Sequence, residues 1–148
     1  CLFGQKDFQQ QLIIHDHLKK NNFSTKLIVG QTVRDSNGLA FSSRNNYLSE
    51  SEKKDASLIY TYLKEIVDQL RQELPKDSLN ISIKVLKICK KYKNKFEAEG
   101  FKIDYLEIIN AKNLKKIKEG ETDILVAVAA YFKGVRLIDN LTCDLSSS

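Results

Sequence analysis

The chain has no methionine, no tryptophan, a single proline, six glycines and three cysteines in 148 residues. Without a methionine it does not begin where translation begins, and an N-terminally incomplete protein is expected. So little Pro and Gly excludes a collagen-like chain or a low-complexity linker. The cysteines Cys1, Cys89 and Cys143 are odd in number, lie far apart and form no Cys-x-x-Cys pair. That pattern fits neither a disulfide framework nor a zinc site, and it fits a reducing cytoplasm. No stretch approaches the ~20 apolar residues that cross a bilayer, and Cys1 to Gln10 lack the basic and apolar regions of a leader. A cytoplasmic protein without a membrane partner is expected.

What is present is ordinary globular composition, with 42% hydrophobic and 29% charged residues, in a length that suits one domain or a small domain plus a fragment of another. Lys and Arg number 24 against 19 Asp and Glu, a net charge of +5. That excess is compatible with phosphorylated ligands or nucleic acid and selects neither. The run Lys84, Lys87, Lys90, Lys91, Lys93 and Lys95 reads as a solvated helix face. Basic patches with interleaved aromatics are absent, so no nucleic-acid partner is expected.

Apolar spacing organises the chain. Phe8, Leu12, Ile13 and Leu18 predict a helix over 5–21, and Leu27, Ile28 and Val29 predict a buried, parallel-type strand over 25–33. The cluster from Arg34 to Gly38 forms turns, and 39–48 has no clean period; polar irregular segments of this kind often hold ligands. Ser49-x-x-Glu52 is a capping box opening one long amphipathic helix to about residue 72, with Ala56, Ile59, Tyr60, Leu63, Ile66, Val67 and Leu70 on its apolar face. A second helix capped by Ser78 carries Ile81, Val85, Leu86, Ile88 and Cys89, and the two helices are expected to pair. Ile103, Tyr105, Glu107 and Ile109 predict a strand, 113–118 a short helical turn, and 124–131 and 135–138 two further strands joined at Lys133-Gly134.

The expected division is thus 1–47, the tail of an α/β layer, and 48–148, a small α+β domain of two helices with a three-stranded antiparallel sheet. One helix and one parallel-type strand do not cover a sheet, so the first piece needs neighbours upstream or in a partner chain.

The richest constellation of chemical groups is Gly4, Lys6, Asp7 and Gln10 at a helix entrance together with Ser42, Ser43, Arg44 and Asn45 in the irregular loop. Free backbone N–H groups at a helix start, glycine's close approach and two cations suit phosphate oxygens. Against this stand two plain alternatives, Asp7 stabilising its own helical turn and Arg44 pairing with an acid of the second domain. His15 and His17 stand two apart and do not share a helix face, so they make no metal site. Cys89 reads as core, and neither Cys1 nor Cys143 has the neighbours that mark a reactive thiolate. Tyr105 and Tyr131 read as packing residues.

Three blocks, Phe3-Gly4-Gln5-Lys6-Asp7-Phe8-Gln9-Gln10, then Asp35-x-x-Gly38-Leu39-Ala40-x-Ser42-Ser43-Arg44-Asn45-x-Tyr47-Leu48, then Arg136-Leu137-Ile138-Asp139-Asn140, strongly resemble the pantoate:beta-alanine ligase (pantothenate synthetase) family, in family order. The resemblance implies ATP-dependent condensation of pantoate with beta-alanine through pantoyl adenylate, releasing AMP and pyrophosphate, with magnesium accompanying ATP. It further implies a Rossmann-like nucleotidyltransferase domain, of which residues 1–47 are a partial remnant, a C-terminal lid domain over 48–148, and a homodimer. By motif position Gly4, Lys6, Asp7, Val33, Phe41, Ser42, Ser43 and Arg44 resemble ATP contacts, with Lys6, Ser42, Ser43 and Arg44 as the catalytic set, and Gln10 resembles a pantoate contact. No metal ligand falls within this chain; the family's magnesium-contacting acids belong to an N-terminal segment that has no counterpart here, so the fragment alone is expected to hold part of a site. Gln31 before Thr32, where the family usually has proline, and Phe41, where methionine is frequent, depart from the pattern. The rival expectation is a non-catalytic lid, dimerisation or binding module.

Overall fold

Residues 124–130 read Ile-Leu-Val-Ala-Val-Ala-Ala, an apolar run whose β-branched and small side chains fit a strand covered on both faces. The computed structural model describes residues 2–4, 20, 28–30, 32–74 and 80–145, with 2–4 and 28–30 by backbone alone. In it this run forms the middle of strand Asp123–Phe132 (β4), placed between Lys102–Asn110 (β3) and Val135–Asp144 (β5) in an antiparallel sheet of order β3-β4-β5. Ile124, Val126 and Val128 face the main core, while Leu125 and Ala129, pointing the other way, are buried as well. The β4–β5 connection is a two-residue turn, Lys133 at φ 51° and Gly134 at φ 79°, the all-positive pair that matches strand twist.

Strand β3 departs from the expected alternation. The register runs Ile103↔Ala130 and then Tyr105↔Ala129, so Asp104 is an extra residue, a bulge. A one-residue insertion reverses which face each side chain takes. Leu106, Ile108 and Asn110 therefore turn inward, and Glu107 turns out.

The expected long helix is two, Glu50–Ala56 (α1) and Leu58–Glu73 (α2), broken at Ser57. The Ser57 hydroxyl donates to Lys54 O and its N–H is shared between Lys53 O and Lys54 O, which diverts the carbonyl ladder locally. The capping box is formed: Ser49 Oγ accepts the Glu52 N–H at 3.2 Å and Glu52 Oε1 accepts the Ser49 N–H at 2.9 Å. Hydrogen bonding of the carboxyl by the Ser49 backbone N–H, and then by the Ser49 side chain, holds Glu52 below the usual range.

The third helix, Ile81–Ala98 (α3), starts after Asn80, which is left-handed at φ 64°. Ser78, its expected cap, lies outside the described residues. The buried stripe is Ile81, Ile88, Tyr92 and Phe96; Leu86, expected on that face, is 68% exposed because it falls off the stripe. Helices α2 and α3 pair as expected, with Tyr62 edge-on to Phe96 at 4.9 Å and Lys95 Nζ 2.7 Å from Glu65. The Glu65 hydrogen bond lifts the Lys95 ammonium above the ordinary lysine range. The lysine run is thus a solvated face except at Lys84 and Lys95, both partly buried. Residues 113–118 form no helix, only the end of a turn at Asn113 and a bend at Lys115, with Leu114 at φ 60°.

Near the start of the chain, Leu2–Gly4 (β1) and Ile28–Gly30 (β2) pair in parallel, Leu2 opposite Ile28 and Gly4 opposite Gly30. That is the parallel character read from residues 27–29. The helix expected over 5–21 lies outside the described residues except at Lys20, which is helical.

Phe96 is fully buried where α2, α3 and Phe101 meet, so Phe96→Ala is expected to cost about 3–5 kcal/mol. Leu86→Ala is expected to change stability by less than about 0.5 kcal/mol. Urea denaturation of the two variants checks the contrast.

Candidate functional site

The site is built on residues 32–48. Asp35 makes the turn, its Oδ1 accepting the N–H groups of Asn37 at 2.9 Å and Leu39 at 3.0 Å, while Gly38 takes φ 97°. The two limbs close as a small hairpin through the Arg34↔Ala40 bridge and the Phe41 N–H to Val33 O bond at 2.9 Å. Leu39 and Ala40 are buried, whereas Val33 and Phe41 stand side by side, 65% and 59% exposed. Val33 and Phe41, two of the positions expected from the resemblance to contact ATP, are thereby neighbours in space.

Ser42 then caps a 3-10 turn, Ser43–Tyr47, its Oγ accepting the Arg44 N–H at 3.2 Å. Asn45 points inward at 7% exposure, donating from Nδ2 to Ala40 O at 3.0 Å and from its backbone N–H to Ser42 O at 3.1 Å; its Oδ1 has no protein partner. This amide locks the turn that presents Ser42, Ser43 and Arg44, the latter two exposed.

The loop faces β5 across a cleft of about 310 Å³, with Ser42, Arg44 and Asn45 on one wall and Arg136, Ile138 and Asp139 on the other. An adjoining groove of about 590 Å³ shares Arg44 and Arg136 and adds Tyr47, Tyr131 and Lys133. Arg44 Nη1 reaches Arg136 O at 3.5 Å, not an acidic side chain. The Arg136 guanidinium is held by Asp104, the bulge residue of β3, at 2.9 Å, and that hydrogen bond raises its pKa further. Tyr131, read as packing, is 40% exposed at the groove, because it lies on the outer face beside the hairpin tip.

Arg34, Arg136 and Asp139 received no role from the sequence, and Asn45, grouped there with the anion-holding loop, is instead buried with its Nδ2 on Ala40 O. One signal was available: in β5 the inward positions read Val135, Leu137, Asp139, Leu141 and Cys143, a carboxylate in an apolar row. Gly4 closes β1 and is described by backbone alone. Lys6, Asp7 and Gln10 lie outside the described residues, as do Cys1, His15 and His17. Burial raises the thiol pKa of Cys89 and Cys143, which keeps both as core groups. Among the described residues no group of three or more His, Cys, Asp or Glu side chains is placed to hold a metal ion.

The family model for pantoate-beta-alanine ligase matches residues 1–142. The chain belongs to that family. It is 40% identical over 157 aligned positions to the pantothenate synthetase of Leptospira interrogans serovar Lai, covering 100% of this chain and 50% of the relative. It is 41% identical over 145 positions to that of Clostridioides difficile, covering 97% and 49%. The chain therefore spans about half the length of the pantothenate synthetases it matches. In three dimensions it resembles the pantothenate synthetase of Thermus thermophilus, with a TM-score of 0.76 at 30% identity over 95% of this chain and 48% of the other. It also resembles the pantoate-beta-alanine ligase of Francisella tularensis complexed with beta-gamma ATP and beta-alanine, with a TM-score of 0.60 at 26% identity over 99% of this chain and 44% of the other.

Within this ligase-family loop, a Cβ on Gly38 would stand 2.6 Å from Tyr60 Cδ1, and the Tyr60 ring is pinned beneath Arg34 at 3.9 Å. Gly38→Ala adds left-handed backbone strain to that overlap, so it is expected to cost about 1–3 kcal/mol. Thermal and urea unfolding measure it.

Proposed function

We propose that this chain carries the nucleotide-gripping loop and the lid portion of a ligase that condenses pantoate with beta-alanine through pantoyl adenylate, releasing AMP and pyrophosphate. The supporting observation is the adjacency of Val33 and Phe41, joined by a 2.9 Å backbone bond and exposed together, with Ser42 to Arg44 following directly at the lip of a cleft. An apolar pair beside hydroxyls and a guanidinium matches a purine base and its phosphates. On this reading the domain boundary falls near residue 47, and residues 1–47 are part of a Rossmann-like nucleotide domain.

The pantoate carboxylate is ionised at neutral pH, so no general base is required for attack on the α-phosphorus. Negative charge grows on the bridging oxygen and the departing pyrophosphate, where Arg44, the Ser42 and Ser43 hydroxyls and Lys6 donate. Gly4 and Asp7 serve as further nucleotide contacts, and Gln10 holds pantoate. Magnesium would accompany ATP; the described residues offer it no cluster of ligands, so no step here runs through it. The family resemblance further supports a homodimer and a cytoplasmic location, and no described helix is long and apolar enough to cross a membrane.

Pantothenate formation from ATP, pantoate and beta-alanine, by the chain alone and by the chain joined to the part of the Clostridioides difficile relative that the match leaves uncovered, tests the reading. Activity is expected in the joined protein, and Arg44→Ala is expected to lower its turnover by roughly 100- to 1,000-fold, the scale of losing one preorganised donor. Absence of activity in both forms refutes the ligase reading and leaves a non-catalytic module.

A further inference from the structure

Asp139 sits on the inward face of β5 with its side chain 4% exposed, where a carboxylate is tolerated only if it is paired and hydrogen-bonded. Arg34 answers it through both terminal nitrogens, Nη1 to Oδ2 and Nη2 to Oδ1 at 2.8 Å, and the Asn140 N–H donates to the same Oδ1 at 2.8 Å. The same guanidinium donates to Gly38 O at 3.1 Å and lies 3.9 Å above the Tyr60 ring of α2. A single planar cation thus joins the loop to itself, to a helix and to the sheet, a geometry that only a fork-shaped group provides.

Arg34 lies immediately after Val33 and pairs across the loop with Ala40, immediately before Phe41. Any tilt of Arg34 relative to β5 therefore moves both exposed apolar residues and the Ser42–Arg44 stretch that follows them. We propose that Arg34 and Asp139 are positioning residues, a clasp that fixes the loop against β5 and so sets the affinity for the nucleotide. The consequence for nucleotide rests on the function proposed above; the clasp itself does not.

Amide hydrogen exchange and ATP titration of the full 148-residue chain test this, with Asp139→Asn as the variant. The Phe41 and Asn45 amides, bonded to Val33 O and Ser42 O, are expected to exchange roughly 10- to 100-fold faster, while Val126 and Val128 in β4 keep their protection. The dissociation constant for ATP is expected to rise by a similar factor. A uniform loss of protection across loop and sheet, or an unchanged loop, overturns the clasp. A loosened loop with unchanged ATP affinity overturns its part in nucleotide binding. No ATP binding by the unmutated chain counts against the nucleotide role of the loop, and the exchange measurement then decides the clasp alone. If Asp139→Asn does not fold, Arg34→Lys keeps the charge and loses the fork: faster exchange confined to the loop supports the clasp, and uniform or absent change overturns it.

Discussion

A carboxylate on the apolar face of a sheet is the constraint from which the candidate site follows. Asp139 has given up its water, and the cost of that desolvation is met only while a matched cation stays in place. The cation comes from Arg34, 105 positions earlier in the chain, so the irregular segment that carries it is anchored to β5 at a defined distance and orientation. Once that anchor is set, the remaining bonds are local. The Asp35 turn folds the loop back, the Arg34 and Ala40 limbs pair, and the Asn45 amide fastens the turn that begins at Ser43.

The cleft is consequently a composite. One wall is the loop and the other is a sheet strand, and neither is a cavity without the other. The strand is supported by β4 along its whole length and by α2, which packs against it with Leu63, Ile66 and Leu70 in the core, while α3 with Ile88 and Phe96 packs on β3. In the proposed reaction a strand supported in this way serves as a reference for the loop's donors, since precise placement of charge is what stabilises a developing anion. The bulge at Asp104 contributes from the far side. It brings a carboxylate to Arg136, so that guanidinium is occupied and the more exposed cations at the opening are Arg44 and Lys133.

The resemblance to pantothenate synthetases over their own half-length is consistent with this arrangement: the matched portion contains the loop, its sheet and the helices that back it. What the loop contributes is the Ser42 and Arg44 side chains at the lip of the cleft.

Amino-acid order alone determined the element types and most of their positions. The continuous apolar run of β4, the Lys133-Gly134 turn, the Ser49 capping box and the helical stripes of α2 and α3 are local patterns, readable because period and turn chemistry act within a few residues. The motif blocks likewise named Ser42, Ser43 and Arg44. Tertiary structure decided what depends on distant partners. The break at Ser57 and the reversal of β3 at Asp104 shift helix and strand phases by single residues, against an uninterrupted pattern. The pairing of Arg34 with Asp139, and of Arg136 with Asp104, joins residues whose separation along the chain carries no signal, since an isolated charge in a sequence does not say which opposite charge will desolvate with it.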